Sequence, residues 1–267
     1  MLGRSVVIGQ YVPLDSPIHR LDPRVKILFV GITIVGLFLV EQWLAFLALG
    51  VFLLVLMFQA HLPFGYVLRS LKPILFLLLF TLVLHLFFTP GHYLLEYGPI
   101  RISLEGLERG LFIIVRLCLL IVATALLTLT TSPVELTDGM EYLLNPFKRW
   151  GFPAHELAMM MTIAIRFIPT LLQEADRILK AQKARGMDFE SGGLLQRARN
   201  LIPLLVPLFI NSFKRAEDLA IAMESRCYRG GVGRTRLRVL TMRTGDYVFL
   251  LFSLGIVVLV KILPFPW

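Results

Sequence analysis

Five stretches of mostly apolar residues, at 25–40, 43–59, 73–89, 107–131 and 247–263, set the strongest limit on what this chain can fold into. A bilayer core about 30 Å thick takes roughly 17 to 25 apolar helical residues to cross, and each stretch is close to that length. Backbone polar groups in hydrocarbon find no water, so a continuous apolar stretch crosses as a helix. With 57% hydrophobic and only 17% charged residues, the composition also lies outside the range of ordinary soluble domains. The expected fold class is an all-α integral membrane protein with about five transmembrane helices.

Charge orients the spans. Arg69 and Lys72 lie between the second and third stretches, and Arg4, Arg20, Arg24 and Lys26 precede the first, so both segments read as cytoplasmic. The loop 90–106 carries Pro90, Gly91, Gly98 and Pro99 as turn residues and offsets Arg101 with Glu96 and Glu105, so it reads as external. Alternation then places 132–245 inside, and that segment holds 17 of the 27 basic residues against 11 of the 18 acids. The predicted organisation is a four-span region at 1–131, a cytoplasmic helical segment at 132–245 and a final span at 246–267. The amino terminus is expected in the cytoplasm and the carboxyl terminus outside. Residues 1–26 show no cleavable-leader pattern, so the first span is expected to direct insertion.

Two further apolar stretches, 157–172 and 201–213, interrupt the cytoplasmic segment. If both crossed, Arg177, Lys180, Lys183, Arg185, Arg197 and Arg199 would lie outside, against the charge bias. Arg166 sits inside the first, and Pro203 and Pro207 interrupt the second. Both are expected to lie at the inner membrane boundary, apolar face towards lipid.

The chain offers little bond-making chemistry. It has no G-x-x-x-x-G-K-[ST] loop to cradle nucleotide phosphates. The glycine-rich stretch 228–236 follows a helix rather than a strand and reads as a basic turn near lipid headgroups. His19, His61, His85, His92 and His155 are scattered without ligand spacing, and His85 reads as an interior polar residue. Cys118 and Cys227 form no CxxC site. Ser132, Pro133 and Glu135 have the pattern of a helix start rather than of a nucleophile. No catalytic residue, metal site or cofactor is expected. The basic excess calls for no nucleic acid, because the topology of the spans accounts for it. An intramembrane lipid transferase would need acids or histidines clustered at one depth, and none is visible. Arg116, inside the fourth stretch, is the exception: it is either a functional intramembrane charge or a structural partner of Glu108 or a polar neighbour.

An internal repeat lies in the cytoplasmic segment. An offset of 41 residues aligns Ala175-Asp176 with Ala216-Glu217, Ala181 with Ala222, and Ala184-Arg185 with Ser225-Arg226. Each copy is an amphipathic helical pattern closed by an arginine. An arginine in the last turn suits the negative end of a helix dipole, and Gly186 suits a left-handed closing residue. Two such ends could equally dock into two acidic grooves of a two-lobed partner, since guanidinium presents five donors to carboxylate or carbonyl oxygens.

The pair "KARGMDF" and "MESRCYRGG", the opening "YVPLDSPIHRLDPRVKIL" and the block from Ser132 to Ile178 carry a resemblance over nearly the whole chain. The chain resembles the transmembrane coupling subunits of energy-coupling factor vitamin and metal importers. The resemblance implies that two Ala-Arg-Gly ends of cytoplasmic coupling helices bind grooves on two ATPase subunits, alike or different. It also implies a membrane-embedded substrate-binding subunit resting on the same helices. Ala184, Arg185 and Gly186 match the first motif fully; Ser225, Arg226 and Cys227 match the second only in the arginine. The rival reading, a permease of an ordinary ABC importer, carries one coupling helix per copy and fits two arginine ends less well.

Overall fold

The computed structural model describes residues 11–97, 100–189, 191, 193–230 and 240–262; the expectations for Arg4, Gly98, Pro99, residues 231–236 and residue 263 lie outside the described residues. Helix α1 (Pro23–Leu39) starts where Pro23 supplies a preset φ and the Asp22 carboxylate accepts from the Arg24 amide. A three-residue link leads to α2 (Trp43–Gln59). Helices α3 (Phe64–Leu71) and α4 (Leu75–Phe88) are joined by a 3₁₀ turn, Lys72–Ile74, at Pro73, which has no amide hydrogen to continue the α-helical ladder. The segment 60–72, expected as a cytoplasmic loop, is thus largely helix and continues into the third span.

A second departure concerns the expected external loop. Strands β1 (Tyr93–Tyr97) and β2 (Ile100–Ser103) pair antiparallel, with Glu96 opposite Arg101, adding one small hairpin to an otherwise helical fold. The ladder pairs backbone groups that an irregular loop would leave unmatched. Helix α5 (Leu104–Thr130) follows at once, and the Ser103 hydroxyl both accepts from the Gly106 amide and donates to the Thr89 carbonyl.

Helix α6 (Pro133–Leu144) opens with the expected capping box: the Ser132 amide donates to the Glu135 carboxylate at 3.1 Å, and the Glu135 amide donates to the Ser132 hydroxyl at 3.3 Å. A 3₁₀ turn, α7 (Ala154–Ala184), α8 (Leu194–Asn200), α9 (Ile202–Ser225) and α10 (Thr244–Ile262) complete the order. Among the described residues four helical segments are long and apolar enough to cross a membrane: Phe64–Phe88, Leu104–Thr130, Ala154–Ala184 and Thr244–Ile262. Trp43–Gln59 is a shorter apolar helix. Ala154–Ala184 thus meets the length and composition of a span, although its apolar half reads from sequence as interfacial.

Among the described residues the helices form two compact units, one from 11–140 with 240–262 and the other from 141–230. In the first, α5 packs against α1, α2, α3 and α4, and α10 packs against α1 and α2. Phe29, Leu53, Met57, Leu126 and Leu129 form one buried cluster and Leu37, Phe46, Leu49 and Val257 another. Lipid tails are as apolar as leucine, so helices in a bilayer associate by close fit at small residues. Gly36 supplies one such contact: a Cβ there would stand 2.7 Å from a Val257 methyl.

One end of this unit is tied by polar groups. The Lys26 ammonium is buried and donates to the carbonyls of His19 (3.0 Å) and Thr130 (2.9 Å), joining the amino-terminal segment to the end of α5. The buried Asp246 carboxylate accepts from the amides of Asp22 (3.1 Å) and Arg243 (2.7 Å), and Arg24 donates to the Leu240 carbonyl at 3.0 Å. The His19 ring accepts at Nδ1 from Ser16 Oγ (2.7 Å) and donates from Nε2 to the Val12 carbonyl (3.1 Å), so the neutral imidazole satisfies both contacts. Burial and then the nearby Lys26 charge push the His19 pKa below its ordinary value, while the Val12 bond offsets part of that shift.

Gly36→Leu is expected to lower the stability of the detergent-solubilised protein by about 1–3 kcal/mol, read from its thermal unfolding midpoint, because Val257 cannot yield to a branched side chain. The depressed His19 pKa means that the unfolded chain takes up a proton more readily than the folded one. Stability should therefore hold above the ordinary histidine value of about 6.5 and fall as pH drops from there through the folded-state value. Thermal unfolding scans across pH 5 to 8 should show that decline in the native chain and a weaker one in His19→Gln.

Candidate functional site

The second unit brings the two arginine ends to the surface in the same backbone geometry. Helix α7 stops at Arg185, where the Gly186 amide donates to the Lys183 carbonyl (3.0 Å) and the Met187 amide to the Gln182 carbonyl (3.1 Å). Helix α9 stops at Arg226, where the Cys227 amide donates to the Glu224 carbonyl (2.9 Å) and the Tyr228 amide to the Met223 carbonyl (3.1 Å). These are two Schellman closures, each with arginine as the last near-helical residue. The following residue is left-handed in both: Gly186 has φ +87° and Cys227 φ +57°. Cys227 therefore occupies the glycine position of the first motif, at the steric cost of a Cβ in the left-handed region.

Arg185 and Arg226 are both exposed, and among the described residues neither side chain makes a hydrogen bond or ion pair. Ala184 and Ser225 precede them, with Ser225 Oγ donating back to the Ala222 carbonyl at 3.0 Å. Each guanidinium therefore presents its fork of donors outward, in the geometry that a carboxylate matches in a bidentate pair.

Helices α7 and α9 pack on each other. Asn211 Nδ2 and Arg215 Nη2 donate to the two carboxylate oxygens of Glu174 at 3.1 and 3.2 Å, and Gln182 Nε2 donates to the Pro203 carbonyl at 3.3 Å. Eight residues forward on α7 thus meet eight residues back on α9. The helices run antiparallel, and the two arginine tips point in opposite directions. The sequence pattern had not singled out Glu174 and Arg215; the 41-residue offset that aligns Ala175 with Ala216 would have aligned them too.

Much of the apolar surface on this pair stays open among the described residues: Leu205, Val206, Phe209, Ile210 and Phe213 on α9 and Met160 and Met161 on α7 are all exposed. Patches of this size mark a contact with lipid or protein. A shallow hollow lined by Leu144, Phe147, Trp150, Gly151, Phe152 and Pro153 lies where α6 leads into α7. Beside it, His155 Nδ1 meets Glu141 Oε1 at 2.9 Å.

Arg116 belongs to the other unit, and its surroundings differ from the ion pair weighed from sequence. It donates to the Val40 carbonyl at 2.9 Å, at the C-terminal end of α1. Its guanidinium carbon lies 5.2, 5.6 and 5.7 Å from the ring centres of Phe112, Phe46 and Phe38. The cation thus meets a helix's negative end and three aromatic faces, both of which favour positive charge. Glu108 instead accepts from Trp43 Nε1 at 3.4 Å. His85 stands at the seam of α4 and α5 with its ring 3.4 Å from the Thr89 hydroxyl, and its carbonyl faces Gly106, where a Cβ would collide with it. Among the described residues no three His, Cys, Asp or Glu side chains gather as a metal site would need.

Comparison with known proteins adds a family context. Residues 15–237 match the family described as cobalt transport protein. The chain is 55% identical over 243 residues to the energy-coupling factor transporter transmembrane protein of Thermosediminibacter oceani, covering 91% of this chain and 92% of that one. It is 55% identical over 249 residues to the protein of the same description from Thermanaerovibrio acidaminovorans, covering 93% of each. The counterpart in Clostridium kluyveri is 52% identical over 266 residues, covering 99% of this chain and 98% of the relative.

The Cys227 backbone yields a direct expectation. Cys227→Gly should stabilise the end of α9 by about 1 kcal/mol and slow exchange of the Tyr228 amide about fivefold, while Gly186→Ala should loosen the end of α7 by a similar amount. Hydrogen exchange read by mass spectrometry on peptides covering the two closures checks both.

Proposed function

The chain belongs to the family of energy-coupling factor transporter transmembrane proteins, and from that membership we propose that this multi-pass membrane subunit couples two partner ATPases to a membrane-embedded substrate-binding subunit. Arg185 and Arg226, with Ala184, Gly186, Ser225 and Cys227 beside them, are the contacts to the ATPases. ATP binding draws the two ATPase lobes together, the arginine ends move with them, and α7 and α9 carry that displacement to the substrate-binding partner, which delivers a vitamin or metal ion. The segment 132–245 lies on the cytoplasmic side, as does the amino terminus, because the basic residues concentrate there.

One observation supports this reading above the others: two unpaired arginines close two antiparallel helices with the same hydrogen-bond pattern. A helix that only needed an end would be served by one glycine and no particular side chain, whereas two matched cationic tips suit a two-lobed acidic receptor. The exposed apolar residues of α9 supply the second contact, against a partner embedded in lipid.

Replacing both Arg185 and Arg226 by Glu should free the ATPase subunits from the detergent-purified assembly. Each reversal of a docked charge is expected to cost about 2–5 kcal/mol of binding free energy. Mass spectrometry of proteins co-purifying with the tagged chain should show two nucleotide-binding subunits with the native sequence and none with the double variant. Full retention of those subunits would remove the proposal.

A further inference from the structure

We propose that the Glu174–Arg215 ion pair is the pivot of a local two-fold arrangement, holding the crossing of α7 and α9 so that the two arginine tips move as one lever pair; this rests on the proposed function. Glu174 and Arg215 are counterparts in the 41-residue repeat, immediately before the aligned Ala175 and Ala216. The two helices run antiparallel, and at their crossing one contact, Glu174 with Arg215, joins the same repeat position of both; Asn211 on Glu174 and Gln182 on Pro203 extend the seam on either side of it. In an antiparallel pair, that coincidence puts a local two-fold relation through the ion pair.

In a symmetric dimer of identical chains, a residue on the axis meets itself, and a glutamate or an arginine there would face its own charge. A tandem repeat removes that restriction, so one copy supplies the carboxylate and the other the guanidinium. Asn211 occupies the second carboxylate oxygen, leaving both Glu174 oxygens bonded.

Each arm from pivot to tip is equally long. Arg185 lies 11 residues beyond Glu174 and Arg226 lies 11 beyond Arg215, about 16 Å of helical rise on each side. Neither arm contains proline; Pro169 and Pro207 lie on the far sides of the pivot. The arms are therefore uninterrupted helix where stiffness is needed, and the kink-prone residues sit beyond the crossing. A partner that contacts both tips must present its two sockets about the same axis, and their approach turns both arms about the ion pair.

Spin labels test this without knowledge of the cargo. The equivalent exposed positions carry them, Ala181→Cys and Ala222→Cys, in a chain with Cys118→Ala and Cys227→Gly. Pulsed electron-spin distances are measured on the purified chain and on its complex with the ATPases, with ATP and orthovanadate added to trap the bound nucleotide. One narrow distance distribution is expected, shifting as a whole on trapping. Glu174→Gln and Arg215→Gln should at least double its width and blunt the shift while the ATPases remain bound. The exchange of charges, Glu174→Arg with Arg215→Glu, should recover a narrow distribution. An unchanged distribution in both single variants, or a swap no narrower than the singles, overturns the pivot. Failure of any ATPase to co-purify with the native chain would instead count against the proposed function, and the distances in the chain alone would still judge the pivot.

Discussion

A left-handed residue one position beyond each arginine decides where α7 and α9 stop, and that closure is the constraint on which the unit carrying these two helices depends. Helices leave their last four carbonyls unpaired, and an amphipathic helix with polar residues beyond its end frays unless something claims them. Gly186 and Cys227 turn the chain so that the next two amides reach back to the last turn. The arginine then sits on the final near-helical residue, with a fixed backbone and a free guanidinium. Moving the left-handed residue by one position would rotate that guanidinium by about 100° around the helix, since each helical residue advances by that angle.

The other unit is stabilised differently. Its helices have no hydrophobic advantage in meeting one another when lipid is the alternative, so small residues at contact points and a few polar ties do the positioning. Gly36 lets α1 approach Val257 of α10, and Lys26, Asp22 and Asp246 bind the amino-terminal segment, α1, α5 and α10 at one end. Near the other end of α1, Arg116 holds the Val40 carbonyl within a ring of phenylalanines. A cation within a membrane span is costly, and here a carbonyl and three aromatic faces lower that cost, with no acidic partner among the described residues.

Local signals made much of this architecture readable in advance. The apolar runs corresponded to helices because a membrane span must satisfy its own backbone and cannot borrow partners from elsewhere. The capping box at Ser132 follows from a few neighbouring residues. The loop expected at 60–72 proved largely helical because Phe64–Leu71 continues into the apolar run despite its charges. Arg116 was visible as an anomaly, but its partner was not: a backbone carbonyl far along the chain leaves no mark on composition. Glu174 and Arg215 were overlooked for a related reason, since each looks like an ordinary charge on the surface of a helix.

The order of the amino acids alone determined that this chain enters a membrane, that its basic residues gather in one segment, and that two helices end in arginine, because hydropathy, charge and helix closure act over a few neighbouring residues. Only the tertiary structure decided that those two helices lie antiparallel, that Glu174 meets its own repeat counterpart, and that the arginine tips point apart. Those facts depend on contacts between residues some forty positions apart, and a repeat in sequence is compatible with several ways of packing its copies.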